Sequence, residues 1–138
     1  MLDHAKRRTV ELQSRMKDAG INLALFTDES SIAYLAGFWG YLGIEFGRPT
    51  FLILRPNGEP TVITPLMESE MVSAMTWVSD IRPWEDFGQN NWTRVLNETL
   101  GSAPEKIWVE SLSLPAVARA FLDERYPGVP LHDISQIL

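Results

Sequence analysis

The chain alternates between stretches with helical spacing of apolar residues and short, continuous apolar runs. Four apolar residues share one face of the first helical stretch: Ala5, Leu12, Met16 and Ala19. Gly20 follows and predicts the end of this helix, because glycine tolerates the left-handed conformation found just past a helix C-terminus. Residues 23–26 are then apolar at every position. This pattern is typical of a strand that is buried on both faces.

A short helix and a hairpin are predicted next. Asp28 can cap a helix that runs through Leu35, with Gly37 beyond its end. Two apolar runs, residues 50–54 and 61–64, then flank a turn that contains Asn-Gly. Because Asn-Gly between apolar runs is a strong hairpin signal, we expect these two strands to pair antiparallel.

The second half of the chain continues the order of helix and strand. Thr64 is predicted to cap a helix with Pro65 at its first position, and Ser113 is predicted to cap the last helix. Pro83 is predicted to stop a strand over residues 77–81. The other predicted elements are a helix over residues 92–100 and strands over residues 106–110 and 129–132. Strands separated by helices, with one hairpin, predict a single α/β domain with a mixed, mostly parallel sheet flanked by helices.

Composition and charge narrow the class of protein. A length of 138 residues with 45% hydrophobic and 22% charged residues is typical of one globular domain. The net charge is −6 and the 12 basic residues are scattered, whereas nucleic-acid surfaces cluster Lys and Arg. No apolar stretch approaches the ~20 residues that cross a bilayer, and the charged start lacks the apolar core of a secretion signal. We therefore expect a cytoplasmic protein that binds neither nucleic acid nor membrane.

Residues with catalytic chemistry are scarce. The chain has no cysteine, and its two histidines, His4 and His132, lack ligand-type partners at helical or strand spacing. Glu68 and Glu70 lie near a predicted helix N-terminus, where negative charge is favourable. Residues two apart point to different sides of a helix, so we interpret both as structural. We predict no catalytic residue and no metal or other cofactor site within the chain.

A glycine-rich loop over residues 37–48 is the strongest candidate for a binding surface. It carries Trp39, Tyr41 and Phe46, and it is longer than a connection between a helix and a strand needs to be. Exposed aromatic residues of this kind often mark an interface. The alternative is that the rings fold back onto the domain.

As a set, these segments resemble the N-terminal domain of the creatinase/prolidase family of metal-dependent hydrolases. The resemblance rests on the strand entry at residues 20–26, Tyr-Leu-Ala-Gly-Phe at residues 34–38 and the hairpin at residues 48–64. It assigns residues 1–133 to that domain. Residues 134–138 would begin the linker to a C-terminal catalytic domain absent from this chain, the alternative being an ordinary tail docked on the core.

The resemblance implies a division of labour between two domains. In this family the C-terminal domain binds two divalent metal ions, and a metal-activated water would cleave an Xaa-Pro peptide bond or another C–N bond. This chain would be the non-catalytic domain and would be inactive alone. Its partners would be its own C-terminal domain, a second copy in a homodimer and a small peptide or other small C–N substrate. The alternative is a free-standing peptide- or protein-binding module of the same fold, as in a histone chaperone.

Two candidate substrate-binding residues, Phe46 and Arg48, also follow from the resemblance. The segment Phe46-Gly47-Arg48 is similar to one in the creatinase branch, where the matching Phe and Arg reach into the partner subunit's active site. The planar guanidinium of Arg48 suits a carboxylate, and Phe46 would supply an apolar wall. The alternative is a solvated Arg48 that pairs with Glu45 and contributes little.

Overall fold

The computed structural model describes residues 2–40 and 48–138, which form one six-stranded sheet with helices on both faces. The strands are β1 (Ala24–Phe26), β2 (Phe51–Leu54), β3 (Thr61–Pro65), β4 (Asp80–Trp84), β5 (Ile107–Val109) and β6 (Leu131–Asp133). The helices are α1 (Leu2–Ala19), α2 (Glu29–Ala36), α3 (Ser69–Met75), α4 (Trp92–Leu100) and α5 (Ala116–Arg125), and a 3-10 turn (Leu66–Glu68) precedes α3.

The sheet is mixed and mostly parallel, as predicted. Its strand order is β4-β3-β2-β1-β5-β6, and only β2 runs opposite to its neighbours. The hairpin between β2 and β3 creates this reversal, with Leu52 opposite Val62. Gly58 occupies its turn with φ +93°, a conformation that favours glycine. The predicted hairpin is therefore confirmed.

Two apolar cores lie on opposite faces of the sheet. The first, covered by α1, α2 and α3, contains Phe26, and the second, covered by α4 and α5, contains Leu25. Neighbouring residues of β1 thus belong to different cores, because side chains alternate along a strand. All three residues of β1 are buried, which confirms the prediction of a strand covered on both faces.

Local capping signals correctly predict the C-terminal end of α1 and both ends of α2. Asp28 Oδ2 accepts a hydrogen bond from the N–H of Ser31 at 3.1 Å, and Gly37 ends α2 with φ +86°. Gly20 follows α1 with φ +72°. The predicted apolar face of α1 is correct for Ala5, Leu12 and Met16, whereas Ala19 is exposed.

Two predictions that involve proline are wrong. Pro65 is the last residue of β3, opposite Trp84, and Thr64 is a buried strand residue instead of a helix cap. Pro83 lies inside β4, which begins and ends three residues later than predicted. In both cases strand pairing overrides the local signal. β4 is an edge strand that pairs with β3 alone within the described sheet, so a residue without an N–H is tolerated there.

The last strand and the tail also differ in detail from the sequence prediction. β6 begins two residues later than the predicted start at residue 129. Ile134 is buried, and Ile137 and Leu138 pack against the first core. Asp133 Oδ1 accepts hydrogen bonds from the N–H of Ser111 and the hydroxyl of Ser135, which lower the pKa of its carboxyl. The tail therefore packs on the domain, and the predicted linker stays a prediction.

Asp80 makes the stability of the β3–β4 pair depend on pH. Thr61 Oγ1 donates a hydrogen bond to Asp80 Oδ2 at 2.7 Å, and Arg82 Nε lies 3.2 Å from Oδ1. Burial alone would raise the pKa of Asp80, but these hydrogen bonds and the charge of Arg82 outweigh it, so the pKa falls below 3.8. A carboxyl with a lowered folded-state pKa stabilises the fold above its unfolded pKa. That contribution is lost as pH falls through the folded value.

We therefore expect Asp80→Asn to lower the free energy of unfolding at neutral pH by less than about 1 kcal/mol, since the pair is partly exposed. The difference from the unsubstituted chain should shrink as pH falls below about 4. Urea denaturation at neutral pH and at a pH below about 4 measures the free energy of unfolding under the two conditions. Asp18→Asn, at an exposed site on α1, is the control and should leave the free energy of unfolding unchanged at either pH. An Asp80→Asn difference that is the same at both pH values would contradict the prediction.

Candidate functional site

A crevice opens where the helices that follow β1 and β5 leave the sheet on opposite faces. α2 enters the first core through Ile32 and Leu35, whereas α5 enters the second through Ala118 and Leu122. Adjacent parallel strands whose connections diverge in this way leave a gap at their carboxyl ends, the usual ligand position in open α/β sheets. The crevice has a volume of about 450 Å³, within the range of small-molecule sites.

The wall of the crevice combines apolar side chains with a few polar ones. Its apolar members are Ile32, Phe38, Trp39, Pro49 and Pro115. Of these, Phe38 is buried whereas Trp39 is 56% exposed. Among the described residues of the wall, the ionisable ones are Asp28, Glu29 and Arg48. An apolar lining with a small number of polar groups is typical of a ligand site.

Glu110 fastens the start of α2 to the end of β5. The residue is buried, and its Oε1 accepts hydrogen bonds from the backbone N–H groups of Thr27 and Asp28, each at 3.0 Å. Its Oε2 accepts a hydrogen bond from the Ser31 hydroxyl at 2.5 Å. Backbone amides before a helix attract anions, and here the protein's own carboxylate occupies them. Glu110 therefore fixes one wall of the crevice.

Ser113 fixes the opposite wall instead of capping a helix. Its Oγ lies 3.0 Å from Thr27 Oγ1, and both residues line the crevice. The predicted cap at Ser113 is wrong, because α5 begins at Ala116 after Pro115. The N-terminus of α5 has no side-chain cap, and the N–H groups of Ala118 and Arg119 both donate to the Pro115 carbonyl.

Arg48 lies on the rim of the crevice, one of the two residues predicted to bind substrate. Its Nη2 lies 2.6 Å from Asp86 Oδ2, and its Nη1 donates to Met67 Sδ at 3.5 Å. The Arg48 side chain is 33% exposed. The other candidate, Phe46, and the alternative ion-pair partner, Glu45, lie outside the described residues. Among the described residues, Arg48 forms an ion pair with Asp86.

Comparison with known proteins identifies the family. The model of the creatinase/prolidase N-terminal domain matches residues 8–138. The chain belongs to the creatinase/prolidase N-terminal domain family. This family assignment confirms the resemblance carried by the hairpin and by the Tyr-Leu-Ala-Gly-Phe segment.

Solved structures share the fold of this creatinase/prolidase N-terminal domain. The N-terminal domain of an X-Pro dipeptidase from Streptococcus pyogenes is 19% identical, with a TM-score of 0.80 and 95% coverage of each chain. A prolidase from Thermococcus sibiricus is 22% identical with a TM-score of 0.81, and the match covers 96% of this chain and 35% of the prolidase. Dipeptidase PepE from Mycobacterium ulcerans is 24% identical with a TM-score of 0.78, and the match covers 99% of this chain and 36% of the dipeptidase.

One curated relative of the creatinase/prolidase N-terminal domain matches over a shorter stretch. The agropine synthesis cyclase of Rhizobium rhizogenes is 34% identical over 62 residues, which are 45% of this chain and 15% of the relative. The chain thus spans about a third of the full-length prolidase and dipeptidase structures and a smaller part of this relative.

The sequence pattern does not predict that two carboxylates of the creatinase/prolidase N-terminal domain, Glu68 and Glu110, are buried. Glu68 is 2% exposed, whereas its place near a predicted helix N-terminus indicates only a structural charge and no burial. A Cβ at Gly40 would lie 3.1 Å from Glu68 Oε2, so glycine permits this close approach. One sequence feature could have indicated Glu110 as a site residue. It directly follows a buried strand, and polar groups of ligand sites in α/β sheets commonly lie at the carboxyl ends of strands.

Metal-binding groups are not found in the part of the domain that the structure describes. Arg7 Nη2 donates a hydrogen bond to His4 Nδ1 at 2.7 Å, and His132 stacks on Trp108 with ring centroids 4.9 Å apart. No three His, Cys, Asp or Glu residues among the described ones are placed to hold a metal ion together. The described helices also include none long and apolar enough to cross a membrane.

Proposed function

We propose that this chain is the non-catalytic N-terminal domain of a metal-dependent Xaa-Pro peptidase or creatinase-like hydrolase, and that Arg48 and Phe46 bind substrate across a homodimer interface. Family membership and the dipeptidase and prolidase relatives support the first part. The observation that carries the second part is the position of Arg48, a partly exposed guanidinium on the rim of a crevice.

Asp86 gives Arg48 a fixed orientation. A guanidinium has five N–H donors, and the 2.6 Å contact to Asp86 engages Nη2. Met67 lies against Nη1. In this proposal a substrate carboxylate would be bound by the guanidinium beside Asp86, since Arg has several N–H donors and commonly binds a carboxylate through two parallel hydrogen bonds. Holding a long side chain in place before binding reduces the entropy lost on binding.

The bond-breaking chemistry would lie in the C-terminal domain. Two divalent metal ions held there would activate the attacking water. This domain would position the substrate through Arg48, and Phe46 would contact its apolar part. Because proximity and orientation raise reaction rates, a binding group on one domain can affect catalysis on another.

In the full-length enzyme, we expect Arg48→Ala to raise the Michaelis constant for an Xaa-Pro dipeptide about tenfold to a hundredfold, since a hydrogen bond to a charged group contributes about 1.5–3 kcal/mol. The C-terminal amide of the same dipeptide should be much less affected, because it lacks the charge. Steady-state kinetics on the two substrates measures the difference. Arg94→Ala, which removes an exposed arginine on α4, is the matched control. Equal effects on the dipeptide and its amide would refute the role of Arg48.

Mixed dimers test whether Arg48 acts on the partner's active site. Full-length Arg48→Ala subunits would be combined with subunits that lack one metal ligand of the catalytic domain. If Arg48 completes the partner's site, each mixed dimer contains one intact site and activity at low substrate concentration returns. If Arg48 acts within its own subunit, no intact site forms and activity stays low.

The alternative function is a free-standing peptide- or protein-binding module. The partly apolar crevice at the carboxyl edge of the sheet favours this alternative, because it offers a binding site without any catalytic domain. Sequencing the gene beyond the codon for Leu138 distinguishes the two. Continued coding sequence with metal-ligand motifs supports the hydrolase, and a stop codon supports the module.

A further inference from the structure

The turn between β2 and β3 presents Asn57 and Gly58 to solvent. Both residues are exposed, and no atom outside the chain neighbours lies within 4 Å of the point where a Cβ of Gly58 would be. Within the described part of the chain, the side-chain amide of Asn57 has no hydrogen-bond partner, and the N–H of Gly58 donates no hydrogen bond. The amide carbon of Asn57 and the nitrogen of Gly58 are therefore both open to reaction.

These two groups can react with each other through an intramolecular substitution. The Gly58 nitrogen loses its proton and attacks Cγ of Asn57, the bond from Cγ to Nδ2 breaks, and ammonia leaves. The product is a five-membered succinimide ring in the main chain. Water then opens the ring at one of its two carbonyl carbons, which gives either aspartate or isoaspartate, in which the main chain runs through the former side chain. Glycine favours the first step because it has no side chain to obstruct the nitrogen.

The remaining asparagines of the chain lack this combination. Each of them precedes a residue that has a side chain: Asn22, Asn90, Asn91 and Asn97. In addition, Asn91 Oδ1 accepts a hydrogen bond from the N–H of Arg94 at 3.0 Å, and Asn97 Oδ1 accepts one from Arg125 Nε. The chain thus contains its own controls for reaction at Asn57.

Gln13 on α1 holds the turn on both sides of Asn57. Its Nε2 donates hydrogen bonds to the carbonyl oxygens of Arg55 and Gly58, each at 2.9 Å. Ring closure requires rotation about the main-chain bonds of Asn57, and this rotation changes the relative position of the two carbonyls. Because one amide group holds both of them, the tether opposes the rotation.

We propose that Asn57 is a site of spontaneous deamidation, and that Gln13 slows the reaction by restraining the turn. Isoaspartate adds one carbon to the main chain between the two carbonyls that share Gln13, so the product releases the turn from α1. Both products also add a negative charge close to Glu59 in the sequence. The turn follows β2 whereas Arg48 precedes it, so this site is independent of the role proposed for Arg48.

Incubation of the chain in mildly alkaline buffer tests the proposal, because the deprotonated nitrogen is the attacking group. Peptide mapping by mass spectrometry measures conversion at each asparagine, and chromatography separates the aspartate peptide from the isoaspartate peptide. We expect conversion at Asn57 to be at least about tenfold faster than at any other asparagine, a ratio that a small difference in activation barrier produces.

Three variants assign the reaction and its restraint to named groups. Gln13→Ala removes the tether and should raise the rate at Asn57 by about threefold to tenfold. Gln136→Ala removes an exposed glutamine from the tail and should leave that rate unchanged. Asn57→Gln should abolish measurable conversion at this position, because its longer side chain would have to form a six-membered ring. Amide NMR spectra that are unchanged away from the turn show that each variant is folded.

Each outcome bears on one half of the proposal. Fast conversion confined to Asn57 supports the site, and conversion there no faster than at the other asparagines would overturn it. The unsubstituted chain alone decides this point. Acceleration in Gln13→Ala supports the restraint, and an unchanged or lower rate would overturn it. In the separated isoaspartate form, the NMR signals of the Gln13 side-chain amide should shift, and unshifted signals would contradict release of the turn from α1.

Discussion

Phe26→Ala is expected to lower the free energy of unfolding by about 3–5 kcal/mol. Phe26 is 0% exposed in β1, a strand with a paired neighbour on each side, and it belongs to the first core. Removing its ring deletes buried apolar surface and leaves a cavity between the sheet and the helices. A strand held on both sides cannot move far enough to fill that cavity. Urea denaturation monitored by circular dichroism measures the change.

Phe87 provides the matched control for this substitution. It is 88% exposed, beyond the end of β4, so Phe87→Ala removes the same ring without opening a cavity. We expect its effect to stay within about 0.5 kcal/mol. If the two substitutions destabilised the chain equally, the assignment of Phe26 to the core would be wrong.

Glu110→Ala is expected to cost about 3 kcal/mol or more, because hydrogen bonds to charged groups contribute about 1.5–3 kcal/mol each and buried donors are then left unpaired. The donors are the N–H groups of Thr27 and Asp28 and the hydroxyl of Ser31. The substitution should also destabilise the start of α2 locally, because the lost hydrogen bonds lie there. Hydrogen exchange should accelerate most at the amides of Thr27 and Asp28.

Two further variants define the role of Glu110. Glu110→Gln keeps one acceptor oxygen but adds an N–H group, so its effect should be intermediate. Glu105→Ala removes an exposed glutamate before β5 and should change the free energy of unfolding by no more than about 0.5 kcal/mol. Exchange rates at Thr27 and Asp28 that stay unchanged in Glu110→Ala would contradict the proposed contacts.

The fold could be predicted from sequence wherever local pattern and tertiary structure agree. The continuous apolar run at β1, the Asn-Gly hairpin and the Asp28 cap each carry their own signal, and each is confirmed. The predictions at Pro65 and Pro83 were wrong because the effect of a proline depends on which strands pair with its own strand. A proline ends a central strand but is accepted at a strand end or on an edge, and the sequence does not state which strand is at the edge.

The site was predictable only in part, for a similar reason. Arg48 was found through its resemblance to a known segment, not through any spacing of its own. Its partner Asp86 belongs to a different strand connection, and Glu110 bonds to Thr27 across 83 positions of sequence. Such contacts arise when the sheet brings the ends of separate strands together. No local periodicity encodes them.

The edge position of Pro83 has a consequence for association between molecules. An outer strand with an unbroken row of N–H and C=O groups can template the addition of a strand from another chain. In β4 one N–H is missing at Pro83, and Asp80 and Arg82 place opposite charges on the same strand. These features make this border of the sheet a poor template for intermolecular pairing. Pro83 on this edge strand therefore disfavours aggregation by strand addition.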